Sequence, residues 1–202
     1  MVKALRFTTD CIFYFGILLW VISSKNAAPV LTVLAVVIHE LGHIIASLIL
    51  GYPTRKFSFQ AGGFKLSGER AYSSYFDEAA IAFAGPFFNL ISALTFLSAT
   101  DSAATFFRHV SFALAILNLL PITEFDGGRV LACILSSFMP CGRCERLCEL
   151  LSFLSLFLLW CASVYLLLRS GRSFTLFIFS AFVFIRTLRN RGEYRINEII
   201  RG

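Results

Sequence analysis

What most constrains this chain is a series of apolar stretches without a single charged residue. They are Cys11–Ser24, Asn26–Ile38, Leu41–Thr54, Ala79–Thr100, Val110–Thr123, Val130–Gly142, Leu150–Leu168 and Ser173–Ile185. A helix crosses the hydrocarbon core with roughly 17–25 apolar residues, so Ala79–Thr100 and Leu150–Leu168 qualify directly. The second and third stretches are one segment interrupted only by His39 and Glu40, which predicts a helix from Pro29 to Leu50. The first and last stretches are short, but Lys and Arg at their ends can snorkel to the interface. Hydrophobic residues make up 57% of the chain against 15% charged, with 23 Phe, which excludes disorder and low-complexity repeats and fits a soluble domain poorly. Six unevenly spaced Cys in 202 residues do not make a disulfide scaffold.

The stretch from His109 to Met139 reads either as two short spans or as one span broken around Pro121–Gly128. The distribution of positive charge decides between them. One broken crossing makes six spans. It puts 13 cations on the cytosolic side (Lys3, Arg6, Arg55, Lys56, Lys65, Arg70, Arg143, Arg146, Arg186, Arg189, Arg191, Arg195, Arg201) against 4 outside (Lys25, Arg108, Arg169, Arg172), with Arg129 in the membrane. Seven spans give 8 inside and 9 outside. The expectation is therefore an all-α polytopic membrane protein of about six transmembrane helices, both termini cytosolic, with a broken fourth span. Lys3 and Arg6 before the first apolar stretch suit a retained signal anchor, because Asn26 is a poor residue before a cleavage site.

No internal repeat or Gly/Ser/Pro-rich linker divides the chain, so residues 1–202 read as one domain. The polar insertion Gly51–Asp77 alternates Phe57, Phe59 and Ala61 with Ser58 and Gln60, then turns at Gly62-Gly63 into Phe64 and Leu66. That pattern predicts a small β-hairpin between the second and third spans, an ordinary interfacial loop being the plainer alternative.

Chemistry concentrates in the Pro29–Leu50 helix, where His39-Glu40-Leu41-Gly42-His43 spells HExxH. Residues i and i+4 lie about 40° apart around a helix and one turn along it, so His39 and His43 can grip one ion. Glu40 projects beside them, where it can polarise water at the metal. Ionisable groups inside a span are costly and mark functional sites. Two of the three histidines fall within these five residues. A catalytic zinc takes three protein ligands and keeps one position open. Glu124 and Asp126 are the other acids at depth, within Asn118-Leu-Leu-Pro121-Ile-Thr-Glu124-Phe-Asp126-Gly127-Gly128-Arg129. Pro121 and the glycine pair should break the helix there, and Asp126 should cap the half-helix that follows, near the positive end of its dipole. Glu124 has no such placement and is the runner-up ligand.

With these residues in view, the chain resembles the site-2 protease family of intramembrane zinc metalloproteases. That family pairs HExxH with Asn-x-x-Pro-x-x-x-x-Asp-Gly, here Asn118, Pro121, Asp126 and Gly127, and carries Gly-Pro-x-x-Asn between them, here Gly85-Pro86-Phe-Phe-Asn89. The resemblance implies one zinc ion on His39, His43 and Asp126, Glu40 as general base, and Asn118 helping to position the substrate. A compact form without a PDZ domain further resembles the sporulation stage IV FB subtype. That subtype usually adds a CBS domain after the last span, and none is expected here after Ile185. The resemblance also implies a membrane-associated protein substrate, regulated intramembrane proteolysis such as activation of a sporulation sigma factor precursor, membrane regulatory proteins as further partners, and a bacterial cytoplasmic or forespore membrane.

If the Pro29–Leu50 helix enters from outside, His43 lies roughly 12 Å and His39 roughly 18 Å from its cytosolic end at Gly51. Cleavage is then expected near the cytosolic face, with Phe57, Phe59 and Phe64 of the adjoining hairpin contacting the substrate. Cys141, Cys144 and Cys148 lack a second pair for a four-cysteine site and read as free thiols on the reducing side. The basic run Arg186–Arg201 suits anionic headgroups of the lipid bilayer rather than nucleic acid. Arg129 can pair with Glu124 or reach the headgroups. A metal transporter or an inactive membrane scaffold is the alternative to an enzyme. A transporter would often show paired broken helices in two halves, which are not visible, and a scaffold needs neither Glu40 nor Asp126.

Overall fold

A computed structural model describes residues 26–52, 57–60, 63–66, 74–170, 177–185 and 187, with only the backbone described over 57–60 and 63–66. The expected first span Cys11–Ser24 and the arginines of the Arg186–Arg201 run lie outside the described residues. Internal contacts divide the chain into two compact units, residues 1–119 and 120–202.

In the first unit, helix α1 spans Ala28–Ile49 with Pro29 in its first turn, where a missing N–H costs nothing. It stops at Gly51, whose φ of +79° suits glycine. The Gly51 N–H donates to Leu48 O at 3.1 Å and the Tyr52 N–H to Ser47 O at 2.8 Å, which satisfies two terminal carbonyls. The Tyr52 hydroxyl then donates to Asp77 Oδ2 at 2.7 Å, tying this helix end to the start of the next helix. Strand β1, Phe57–Gln60, pairs antiparallel with strand β2, Gly63–Leu66, with Phe57 opposite Leu66 and Phe59 opposite Phe64. Helix α2, Tyr75–Thr95, is capped by the Ser74 side chain and carries Asp77 and Glu78 in its first turn, where the dipole favours them. Helix α3, Ser102–Asn118, is capped by Asp101, which accepts from the N–H groups of Ala103 and Ala104.

These three helices pack on one another through small residues. Ala35, Ala82, Ala84, Ala93 and Ala115 are buried, while Val30, Leu34, Leu41, Leu48, Phe83 and Ile91 point outward. Outside water, helices associate through close packing rather than through hydrophobic burial, so the small residues belong inside and the large apolar ones face lipid. Gly42 shows how close the approach is. A Cβ there would lie 2.6 Å from the Ala84 carbonyl oxygen.

In the second unit, α4 spans Asp126–Ser136 and α5 spans Cys141–Ser170, followed by helical residues 177–185. Ile122, Leu156 and Val183 form its core, flanked by Leu120, Phe125, Leu159 and Phe179. The buried hydroxyls of Ser163 and Ser180 meet at 3.1 Å.

The expected bundle of about six spans is corrected. Among the described residues three helices are long and apolar enough to cross a membrane: Ala28–Ile49, Tyr75–Thr95 and Gly142–Arg169. Helix α3 has 17 residues, with Arg108 and His109 inside it. Helix α4 has 11 residues. At 1.5 Å per residue α4 reaches about 16 Å, against a hydrocarbon core of about 30 Å. Counting charge-free stretches rewards short apolar segments that cannot cross alone.

Candidate metal centre

His39, Glu40 and His43 share one turn of α1 and are buried, at 7%, 9% and 5% exposure. The two histidines face α2, whose residues Ile81, Gly85 and Asn89 recur every four positions and so line one face of it. His43 Nδ1 lies 2.8 Å from the Ile81 carbonyl oxygen. A carbonyl only accepts, so Nδ1 carries the proton and donates, and Nε2 carries the lone pair. At the next turn, His39 Nδ1 lies 3.3 Å from Asn89 Nδ2. Both Nε2 atoms then converge to 3.2 Å, with the rings edge-to-face.

That convergence tests whether these residues fit zinc. Two nitrogens at 2.0–2.1 Å from one tetrahedral zinc stand about 3.3–3.4 Å apart. The observed 3.2 Å agrees within the roughly 0.2 Å that a metal site tolerates. The room for an ion comes from Gly85. A Cβ there would overlap His43 Nε2 and stand 2.5 Å from His43 Cε1 and 2.9 Å from His39 Nε2. The Gly-Pro-x-x-Asn motif thus has a physical meaning. Gly85 leaves space for the two imidazoles, Pro86 withholds an N–H from the turn beside them, and Asn89 reaches His39.

Asn118 ends α3, partly buried, and its Nδ2 donates to the Leu114 carbonyl at 3.0 Å. In the second unit, Pro121 interrupts the helical path. The N–H of Ile122 donates to Leu120 O at 2.7 Å and that of Phe125 to Ile122 O at 2.8 Å, closing tight turns before α4 begins. The Thr123 N–H donates to the buried Ser152 hydroxyl at 3.2 Å, which anchors the break to α5. A Cβ at Gly128 would overlap the Ile122 carbonyl oxygen, so that glycine lets α4 fold back on the turn. Asp126 is the first residue of α4, and Phe125 occupies the cap position without a side-chain cap. The expectation that Asp126 caps the helix is corrected by one position, and the carboxylate still sits in the first turn at the positive end of the dipole. Arg129, expected to pair with Glu124 or reach headgroups, has Nη1 4.0 Å from Asp126 Oδ1, at the outer limit of an ion pair. Cys144 and Cys148 are buried free thiols with their sulfurs 4.0 Å apart.

The structure therefore joins His39, Glu40 and His43 in one turn of the first unit, and places Asp126 at a helix start in the second. The side chains of Phe57, Phe59 and Phe64 lie outside what is described. The role of Asn89 toward His39 was not read from the sequence. The signal available was an amide at mid-depth in an apolar span, where a polar group needs a partner.

Comparison with known proteins agrees with the motifs. The profile of the peptidase M50B-like family matches residues 11–191. The stage IV sporulation protein FB of Bacillus subtilis (strain 168) is 26% identical over 195 residues, covering 90% of this chain and 68% of that protein. The solved site-2 protease from Methanocaldococcus jannaschii shares the fold with a TM-score of 0.59 at 21% identity, over 90% of this chain and 87% of that one.

Proposed function

The chain belongs to the peptidase M50B-like family and is an intramembrane metalloendopeptidase, and from that premise we propose that it holds one zinc ion on His39, His43 and Asp126, with Glu40 as general base. The observation that carries the assignment is the convergence of two buried imidazole nitrogens to 3.2 Å on a membrane-length helix. When bound, zinc supplies Lewis acidity, polarising the scissile carbonyl and making water acidic enough to attack near neutral pH.

The rest is done by the chain's own groups. The Glu40 carboxylate takes the proton from the attacking water and delivers it to the leaving amide nitrogen, a transfer worth about 10²–10⁴-fold in rate. The Ile81 carbonyl holds His43 in its ligating orientation through the 2.8 Å bond to Nδ1. Asn118, with one N–H engaged by Leu114, turns its remaining amide groups to the substrate backbone. A helical amide is shielded by its own hydrogen bond, so the substrate must unwind locally before attack. Phe57, Phe59 and Phe64 contact the unwound segment.

The substrate is a membrane-associated protein. Cleavage falls near its cytosolic face, since His43 lies nearer the Gly51 end of α1 and that end is cytosolic in the positive-inside topology, with several crossings and both termini inside. The setting we propose is a bacterial cytoplasmic or forespore membrane, with activation of a sporulation sigma factor precursor as the physiological task and membrane proteins as regulators. Support for sporulation comes from the name of the Bacillus subtilis relative.

Co-expression with candidate membrane-tethered transcription factors tests this reading. A zinc-dependent fragment released to the cytosol is expected. Release to the opposite side, or cleavage that persists after the metal is stripped, contradicts it.

A further inference from the structure

Asn89 is fully buried in a membrane-length helix, and its Oδ1 has no hydrogen-bond partner among the described residues. A buried acceptor left without a donor is costly, so its presence needs a reason. Its other terminal atom, Nδ2, stands 3.3 Å from His39 Nδ1. An amide nitrogen only donates, so in this orientation His39 Nδ1 must accept, and the neutral ring then carries its proton on Nε2. That proton points into the 3.2 Å gap to His43 Nε2, the place a cation has to enter.

The two ends of an amide have the same shape, and the choice between them follows from the hydrogen-bond network. With the amide turned, Oδ1 accepts from His39 Nδ1–H, and the His39 Nε2 lone pair faces the same point as that of His43. His43 already has this arrangement, with a carbonyl oxygen on its Nδ1. One rotation puts the acceptor on the His39 Nδ1–H and removes the misplaced proton, with Nδ2 taking the position that Oδ1 held.

We propose that Asn89 is the positioning residue of His39: its side-chain carbonyl holds the ring in the Nδ1–H form that metal ligation requires. This deepens the reading of His39 as a zinc ligand and rests on it. Outer-shell partners of this kind contribute about 10–100-fold to metal affinity. An aspartate can replace the function, because it offers an acceptor whichever oxygen faces the ring. A leucine of similar shape cannot.

The test uses the full chain in detergent micelles, wild type against Asn89→Asp, Asn89→Leu, Asn89→Ala and His39→Ala. Zinc affinity is read by competition with a chromophoric chelator, ligand geometry by the absorption bands of the cobalt-substituted protein, and folding by the unfolding temperature of the zinc-free form. Leu and Ala should weaken zinc about 10–100-fold and alter the cobalt bands, while the zinc-free unfolding temperature stays near wild type. Asp should remain within a few-fold of wild type with unchanged bands. Should Leu fail to fold, the Ala and Asp pair decides. Wild-type affinity in Leu or Ala overturns the proposal, as does an Asp variant as weak as Ala. If His39→Ala leaves zinc affinity unchanged, the ligand assignment itself fails and takes this proposal with it. If His39→Ala weakens zinc and Asn89→Ala does not, the assignment of Asn89 alone falls.

Discussion

Gly85→Ala asks whether the gap at that glycine exists for the two imidazoles. The added methyl would overlap His43 Nε2 and stand 2.5 Å from His43 Cε1 and 2.9 Å from His39 Nε2. Carbon atoms rest about 3.5–4.0 Å apart, so the His43 ring must retreat by about 1 Å. Metal ligation tolerates about 0.2 Å, so a displacement of that size removes one ligand. The expected loss of zinc affinity is at least about 100-fold, or about 2.8 kcal/mol. The fold should fare better. Alanine gains about 1 kcal/mol over glycine inside a helix, against an overpacking cost of about 1–3 kcal/mol. The zinc-free protein should therefore lose about 0–2 kcal/mol and stay folded. Gly142→Ala is the control, since a Cβ there meets nothing within 4 Å. Zinc per chain after purification, chelator competition and thermal unfolding of the zinc-free form together read the result. A Gly85→Ala protein with wild-type zinc affinity and cleavage would mean that the imidazoles do not need that space to bind.

The other expectations concern the second unit and the metal itself. Asp126→Asn should lower zinc occupancy and abolish cleavage, while Glu124→Gln should be mild; metal analysis of the two variants side by side decides, and loss of zinc in the Glu124 variant would reverse the ligand assignment. Gly128→Ala should destabilise by about 1–3 kcal/mol, read by thermal unfolding, because its Cβ meets the Ile122 carbonyl. Stripping the metal with a chelator should stop cleavage, and added zinc should restore it.

How far the sequence spoke depends on the residue. The bounds expected for α1, Pro29–Leu50, differ by one position at each end from Ala28–Ile49, because Pro29 and Gly51 are local punctuation that needs no tertiary context. Helix α2 begins at Tyr75 rather than Ala79, since a scan for charge-free residues stops at Asp77 and Glu78, the charges a helix start favours. HExxH was legible as chemistry because its meaning rests on helical spacing alone. The partners of those histidines were not. The Ile81 carbonyl and the Asn89 amide reach α1 only through the rotation of α2 against it, which side-chain packing sets and no short pattern records. Among the described residues the number of spans differs for a related reason. The count of positive charge reads the residues around Pro121 as one broken crossing, and the structure has two helices there, α3 and α4, each too short to qualify alone.

In this mechanism Glu40 moves a proton for a hydrolysis that the metal centre makes feasible. The direct measurement is Glu40→Gln, purified and reconstituted with a membrane-tethered substrate, with zinc content and fragment release read on the same sample. The amide keeps the size of the carboxylate and cannot accept the proton, so zinc should remain near one per chain while cleavage falls by at least about 100-fold. Cleavage retained by this variant would contradict the claim, and loss of zinc together with cleavage would make Glu40 a ligand rather than the base.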